Sequence, residues 1–418
     1  MQNIHLSVCF SLLVIISGCL ENTVSADLNN PGMIHDTLSI SSIMGFNYQT
    51  PPELGNSTLL YLGTDSSGFQ NPFALFKVQS NSINTSETFD SFLDSTVEID
   101  SAKFILTFNS DTIETGMIFD LYYFPNSGDS IFNESNSNYL NLIESELSSE
   151  YVSSGRLFQR LPDSTETIYP TLSFNVLNII QTFIDSSNIN QNRTLMIKPK
   201  FDLSHSLSFK SSESGFAFAP QLHIFTHDTT YIDSTSDSVS VDTLSHEFIS
   251  TDDLSIIIPP TVSSVPGQLT LGRGLSYKGL IEISDLDSFL LPLPEQSIIT
   301  KAELSFHYPF DTTQSNFYLQ VQPVSDTIHY EQLQGVLLED PIDVISNILP
   351  VVNISNSGKV ILNIREYLQL IHFGYVSNYG LKLEVINTSN PFNLYSLYSH
   401  SSLIDSLNPE LLIHYVSP

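Results

Sequence analysis

One plan is written twice along this chain, and that repetition limits the possible fold more than any other feature. Ala302-Glu-Leu-Ser-Phe-His-Tyr follows the pattern of Ala102-Lys-Phe-Ile-Leu-Thr-Phe, with apolar or aromatic residues at alternate positions. Gly279-Leu-Ile-Glu-Ile matches the run Phe73-Ala-Leu-Phe-Lys-Val, and Phe317-Tyr-Leu-Gln-Val-Gln-Pro matches Phe119-Asp-Leu-Tyr-Tyr-Phe-Pro. Asn363-Ile-Arg-Glu-Tyr-Leu-Gln then pairs with Asn175-Val-Leu-Asn-Ile-Ile-Gln, Leu381-Lys-Leu with Leu195-Met-Ile, and Tyr398 with Phe209. Pro409-Glu-Leu-Leu-Ile closes the second copy as Pro220-Gln-Leu-His-Ile closes the first. The order is preserved, so two tandem copies of one unit are expected.

Short alternating runs bounded by polar turns read as strands of a sandwich or barrel. A helix is expected over Asn175 to Ile184, capped by Asn175, with Val176, Ile179, Ile180 and Phe183 on one face. Two more short helices are expected, at Asn138 to Leu147 and at Asp340 to Leu349, the latter with Pro341 at its first helical position. The expected fold is all-β: two tandem antiparallel, jelly-roll-like β-sandwiches with a few short helices. They would occupy residues 37–227 and 246–418. Residues 228–245 carry Asp228, Asp233, Asp237 and Asp242 among Ser, Thr and Val, and read as an acidic interdomain linker with some extended structure.

Charge narrows the partners. Lys and Arg number 14 against 45 Asp and Glu, a formal net charge of −31. Such a surface repels nucleic acid and anionic headgroups; it favours solubility and attracts cations. Cys9 and Cys19 are the only cysteines, so the body of the chain contains no disulfide and no thiolate metal site.

Residues 1–18 read as a signal peptide. The apolar run from Leu6 to Gly18 is too short for a stable span, and it ends Ile16-Ser17-Gly18-Cys19. This resembles the lipobox of bacterial lipoproteins, although no Lys or Arg precedes the apolar run. The resemblance implies lipidation at Cys19, a tether over 19–36 and, with Leu20 following, an outer-membrane location. Several acyl chains together give an anchor that one chain does not. The alternative is cleavage near Ser25-Ala26.

Lys301-Ala-Glu-Leu-Ser-Phe, Asn378-Tyr-Gly-Leu-Lys-Leu and Pro409-Glu-Leu-Leu-Ile-His-Tyr resemble the DNRLRE-type domain of bacterial secreted and surface proteins. Asn192-Arg-Thr-Leu-Met-Ile and the run from Phe209 to Glu213 match more loosely in the first copy. The chain has no Trp, and Phe183 and Ile371 stand where that family often has one. The resemblance implies a jelly-roll sandwich of the kind compared with carbohydrate-binding modules. Gly380 is expected at positive φ ahead of its strand.

Catalytic motifs are not found. The stretch Gly272 to Gly279 lacks phosphate-loop spacing and reads as a loop. His246-Glu247 has no second His four residues beyond the first. His223 and His414 alternate with apolar neighbours and read as sheet-surface residues. The linker aspartates could bind Ca²⁺, the one cofactor suggested. Tyr122, Tyr123, Tyr395 and Tyr398 could stack on sugars, with core packing as the plainer role. The expectation is a non-catalytic outer-membrane or cell-surface lipoprotein acting as a structural, adhesive or assembly module. The alternative is a glycan-binding protein using a sandwich face or tip loops. Its partners would be the membrane, through the lipid anchor, and a glycan or surface protein.

Overall fold

The structure is a computed structural model that describes residues 33–52, 54–55, 57–93, 97–110, 117–125, 131–158, 169–185, 193–231, 239–261, 265–309, 317–354, 358–386, 390–399 and 405–418. Strands make up 47% and helices 12%, as the alternating runs require. Two β-sandwiches result.

In the first sandwich, one sheet runs Glu150–Ser154, Phe119–Tyr123, Arg193–Pro199, Ala74–Val78. The facing strands are Gln221–Tyr231, Val97–Thr107, Thr171–Asn175 and Arg156–Phe158. The long strand Val239–Ser255 belongs to both. Up to Ile249 it pairs with Gln221–Tyr231, and from Ser250 it pairs with Ala74–Val78. A register shift between Ser250 and Asp252 marks the bend; bulges of this kind let a strand turn from one sheet into another. Phe76, Leu121 and Leu195 from one side meet Phe104, Phe174 and Leu222 from the other in a dry core. The Phe76 and Phe104 rings sit 5.4 Å apart.

The second sandwich repeats the scheme. One sheet runs Ile34–Ile40, Glu410–Ser417, Ile298–His307, Lys359–Asn363. The other runs Val352–Ile354, Phe317–Pro323, Leu381–Val385, Tyr277–Ile283, Ile43–Gln49. Ala102 stands opposite Ile224, and Ala302 opposite Ile413. Phe104 opposes Phe174 as Leu304 opposes Leu362. The repetition seen in sequence is therefore a repetition of register.

The boundaries expected at 37, 228 and 246 do not follow the strand pairing. Residues 34–49 pair with the second sandwich, through Glu410–Ser417 and Tyr277–Ile283. Residues 239–255 pair with the first. These two segments are themselves copies. Asp36-Thr37-Leu38-Ser39 recurs as Asp242-Thr243-Leu244-Ser245, and Pro51-Pro52 recurs as Pro259-Pro260. Each copy's opening segment thus completes the other copy's sandwich. The acidic linker is corrected by the same pairing: Asp228 lies opposite Asp242 in the ladder. Asp233 and Asp237 lie outside the described residues. Threonine and valine between the aspartates favour a strand even without an apolar face, because the backbone ladder supplies the pairing.

The outer face of one sheet in each sandwich is also covered, which explains continuous apolar runs such as Phe73 to Phe76. Phe73, Leu75 and Met196 pack under Phe132 and Leu142. Tyr48, Leu280 and Val324 pack under Ile342. These covering segments are where the two extra helices were expected. The first holds only the short 3₁₀ turn Glu144–Glu146. Asn138 and Asn141 take the nearby amides of Leu140 and Asn138, and such side-chain bonds compete with a helix. In the second, Ile345 N–H bonds Pro323 O, and Ser325 N–H bonds Asp343 O. Its backbone is spent on the neighbouring strand end.

The helix Leu177–Asp185 forms as its apolar stripe requires, with Asn175 Oδ1 accepting Leu177 N–H. Arg365–His372 is its counterpart, burying Tyr367 and Leu368. A third, short helix, Leu286–Leu290, was not anticipated. Gly380 has φ +102°, and a Cβ there would meet Ile281 O at 2.5 Å. Both facts demand glycine at the entry to Leu381–Val385. Asn378 Nδ2 donates to Ile283 O alongside it, so the Asn-Tyr-Gly run fixes sheet geometry.

Candidate functional site

Three carboxylates from distant parts of the chain converge beside the bend of Val239–Ser255. Asp253 follows the bulge, Glu213 lies in the 3₁₀ turn Ser212–Ser214, and Glu134 comes from the segment covering the sheet. Their ligand atoms all lie within 4.8 Å of one another. Asp253 is 0% exposed. Its Oδ2 accepts Ser212 N–H at 2.8 Å, while Oδ1 has no hydrogen-bond partner. Glu134 Oε1 is likewise buried and unpartnered. Burial, with the Glu213 charge added, pushes Glu134 up to about 7. Burial also holds Asp253 well above the usual carboxylate range, against the hydrogen bond from Ser212. Oxygen donors in this arrangement suit a hard cation.

A second feature is a cleft of about 880 Å³ between the helix Leu286–Leu290 and the end of Arg365–His372. Phe373 and Tyr375 stand on its wall, their rings 6.2 Å apart and at 80°. Asp287 and Glu295 line it as well. Tyr375 is 75% exposed and Leu291 82%. Exposed aromatic faces beside carboxylates can hold a polyhydroxylated ligand by stacking and hydrogen bonding.

The structure places the residues singled out in sequence as follows. Ile16, Ser17, Gly18 and Cys19 lie outside the described residues. His246 is buried, and its ring nitrogens bond Thr85 and Thr226 hydroxyls, each at 2.9 Å. It is a satisfied core histidine, and burial lowers its pKa. His223 and His414 are half-buried, bonded to Gln221 and Thr37. Gly272 and Tyr277 bridge a tight turn rather than enclosing a ligand loop. Tyr395 is a core residue, stacked on Phe317 at 3.8 Å, and Tyr123 is buried against Phe183. Tyr122 and Tyr398 are half-buried. None of these tyrosines shares the cleft of Phe373 and Tyr375. Sequence reasoning passed over Glu134, Glu213 and Asp253, which are too far apart in the chain to form a motif. The only local signs were the Asp252-Asp253 pair within an apolar run and Glu213 at the end of the Phe209 strand motif.

No family model and no curated protein matches this chain. Among solved structures, one described as "BspA_C_WT" aligns over 81% of this chain and 90% of its own, at 9% identity and a TM-score of 0.17. That likeness is too loose to equate the two folds.

Proposed function

We propose that this protein is a non-catalytic, lipid-anchored module of the outer membrane or cell surface, with a structural, adhesive or assembly role. The observation that carries this reading is the lipobox-like run Ile16-Ser17-Gly18-Cys19, a short polar stretch ahead of the first docked strand, Ile34–Ile40. Extended, the chain from Cys19 to Ile34 reaches roughly 50 Å at about 3.4 Å per residue. The anchor would then lead into the second sandwich, because Ile34–Ile40 is bonded there. In this arrangement the second sandwich is the membrane-proximal one and the first projects outward. Cys19→Ser should move the protein from the membrane fraction to the soluble fraction. A variant still found with membranes would refute anchoring at this residue.

A glycan-binding role is the second reading, and the Phe373–Tyr375 cleft favours it. On a glycan array the protein should retain a polysaccharide, and Tyr375→Ala should weaken that binding about ten-fold, as loss of one stacking platform predicts. An array without hits, or equal binding by Tyr375→Ala, would remove the cleft as a sugar site.

A further inference from the structure

We propose that Glu134, Glu213 and Asp253 hold one Ca²⁺-type divalent cation, which locks the bend of Val239–Ser255 to the segments packed on either side of it. The first ground is Asp253. It is 0% exposed and half-used: Ser212 N–H satisfies Oδ2, and Oδ1 is buried with no hydrogen-bond partner. A buried, unpaired carboxylate oxygen is unfavourable, and Glu134, whose ligand atom lies within 4.8 Å of that of Asp253, has a second in Oε1. One cation answers both. Lys77 on the paired strand is not available for this, since its Nζ lies 2.7 Å from Asp252 Oδ2.

The second ground is spacing. Two oxygens that ligate Ca²⁺ at about 2.3–2.6 Å stand no more than about 5 Å apart. The three ligand atoms here lie within 4.8 Å of one another. Mg²⁺ takes fewer carboxylates and a tighter octahedron, so it fits a three-carboxylate cluster less well. Glu213 is exposed and forms the rim, where water can complete the shell and the ion can enter.

The ion would tie together three elements. Glu134 belongs to the cover over the sheet. Glu213 sits in a turn pinned by Ser211 Oγ to Ser57 O and by Ser214 Oγ to Thr58 O, each at 2.6 Å. Asp253 lies on the strand that passes from one sheet to the other. Binding would therefore stabilise the first sandwich where its two sheets are joined. The site is independent of the anchor and of the cleft.

The test uses the full chain in detergent, stripped with EDTA and titrated with CaCl₂ or MgCl₂. Calorimetry should find one saturable Ca²⁺ site per chain above the weak binding of an acidic surface. Saturation should raise the melting temperature by about 5 °C or more, with a smaller effect from Mg²⁺. Glu213→Gln changes only the rim and should keep the fold while weakening Ca²⁺ binding at least about ten-fold. Asp253→Asn should abolish the site, yet melt in EDTA no lower than the wild type, because the amide oxygen still accepts Ser212 N–H and carries no charge for burial to oppose. The proposal fails if no saturable site is found. It also fails if Ca²⁺ raises the melting temperature equally in wild type, Glu213→Gln and Asp253→Asn, which would put the binding elsewhere on the acidic surface.

Discussion

Deleting residues 34–49 should leave the second sandwich unable to fold, although the deletion lies in the other half of the sequence. Ile40 and Ile43 are 2% and 0% exposed in that sandwich's core, and Tyr48 is part of its outer cover. Each such side chain contributes about 1.5–3 kcal/mol by burial. Removing the segment also strips one flank from Glu410–Ser417 and from Tyr277–Ile283, exposing backbone that the ladders had satisfied. A net stability of about 5–15 kcal/mol does not survive losses of that size. Limited proteolysis should show residues 268–417 cut rapidly in the deletion variant, while the first sandwich stays protected. Deletion of residues 20–32 should have no such effect. Equal protease resistance of residues 268–417 with and without 34–49 would overturn the strand assignment.

Asp340→Ala should cost about 3–5 kcal/mol, the usual result of removing one partner from a buried ionic cluster. Asp340 Oδ2 lies 2.7 Å from Lys278 Nζ and 2.6 Å from Lys382 Nζ. Both lysine side chains are nearly buried, at 6% and 8%. Oδ1 accepts Tyr48 OH at 3.0 Å and Ile342 N–H at 3.0 Å. Without the carboxylate, the two ammonium groups lose their nearest anion, and Glu384 stands farther off, at 3.5 and 3.9 Å. Burial works against ionised Asp340, but the lysine hydrogen bonds outweigh it and hold its pKa below the usual value. A carboxylate depressed in the folded state stabilises the protein above its unfolded pKa, about 3.9, and that contribution is lost as pH falls through the folded value. Denaturant melts from pH 6 down to pH 2 should therefore show an acid limb that shrinks in Asp340→Asn. In a Lys278→Met, Lys382→Met background, Asp340→Asn should cost far less, because no buried cation is then stranded. An unchanged cost in that background would mean that the lysines are not what makes Asp340 important.

The fold class was legible because the period-two pattern survives in both copies. Ala102 and Ala302, spaced alike from their neighbours, occupy the same register position. The helix from Leu177 was legible through Val176, Ile179, Ile180 and Phe183, and Gly380 through its turn signal. The exchange of opening segments was not. The Asp-Thr-Leu-Ser repeat marks 34–49 and 239–255 as equivalents, but sequence similarity says nothing about which partner each will choose. Asp340 misled for a related reason. Asp before Pro is a good helix start in isolation, yet two lysines on neighbouring strands claim its carboxylate and the strand end claims the backbone that follows. The carboxylate cluster was invisible because its members meet only after the sheets have closed.

The exchanged opening segment also decides how the molecule carries mechanical load. Ile34 lies directly opposite Ser417, so the first described strand is bonded along its whole length to the last. A pull on residue 33 along that strand is shared by the ladder from Ile34 to Ile40 at once, in shear, rather than peeling one bond at a time. If that ladder slips, the turn at Ser41–Ser42 passes the tension to a second ladder in the opposite sheet, Ile43–Gln49. The load enters the C-terminal sandwich first. The N-terminal sandwich, although nearer in sequence, is reached along the chain only after both ladders.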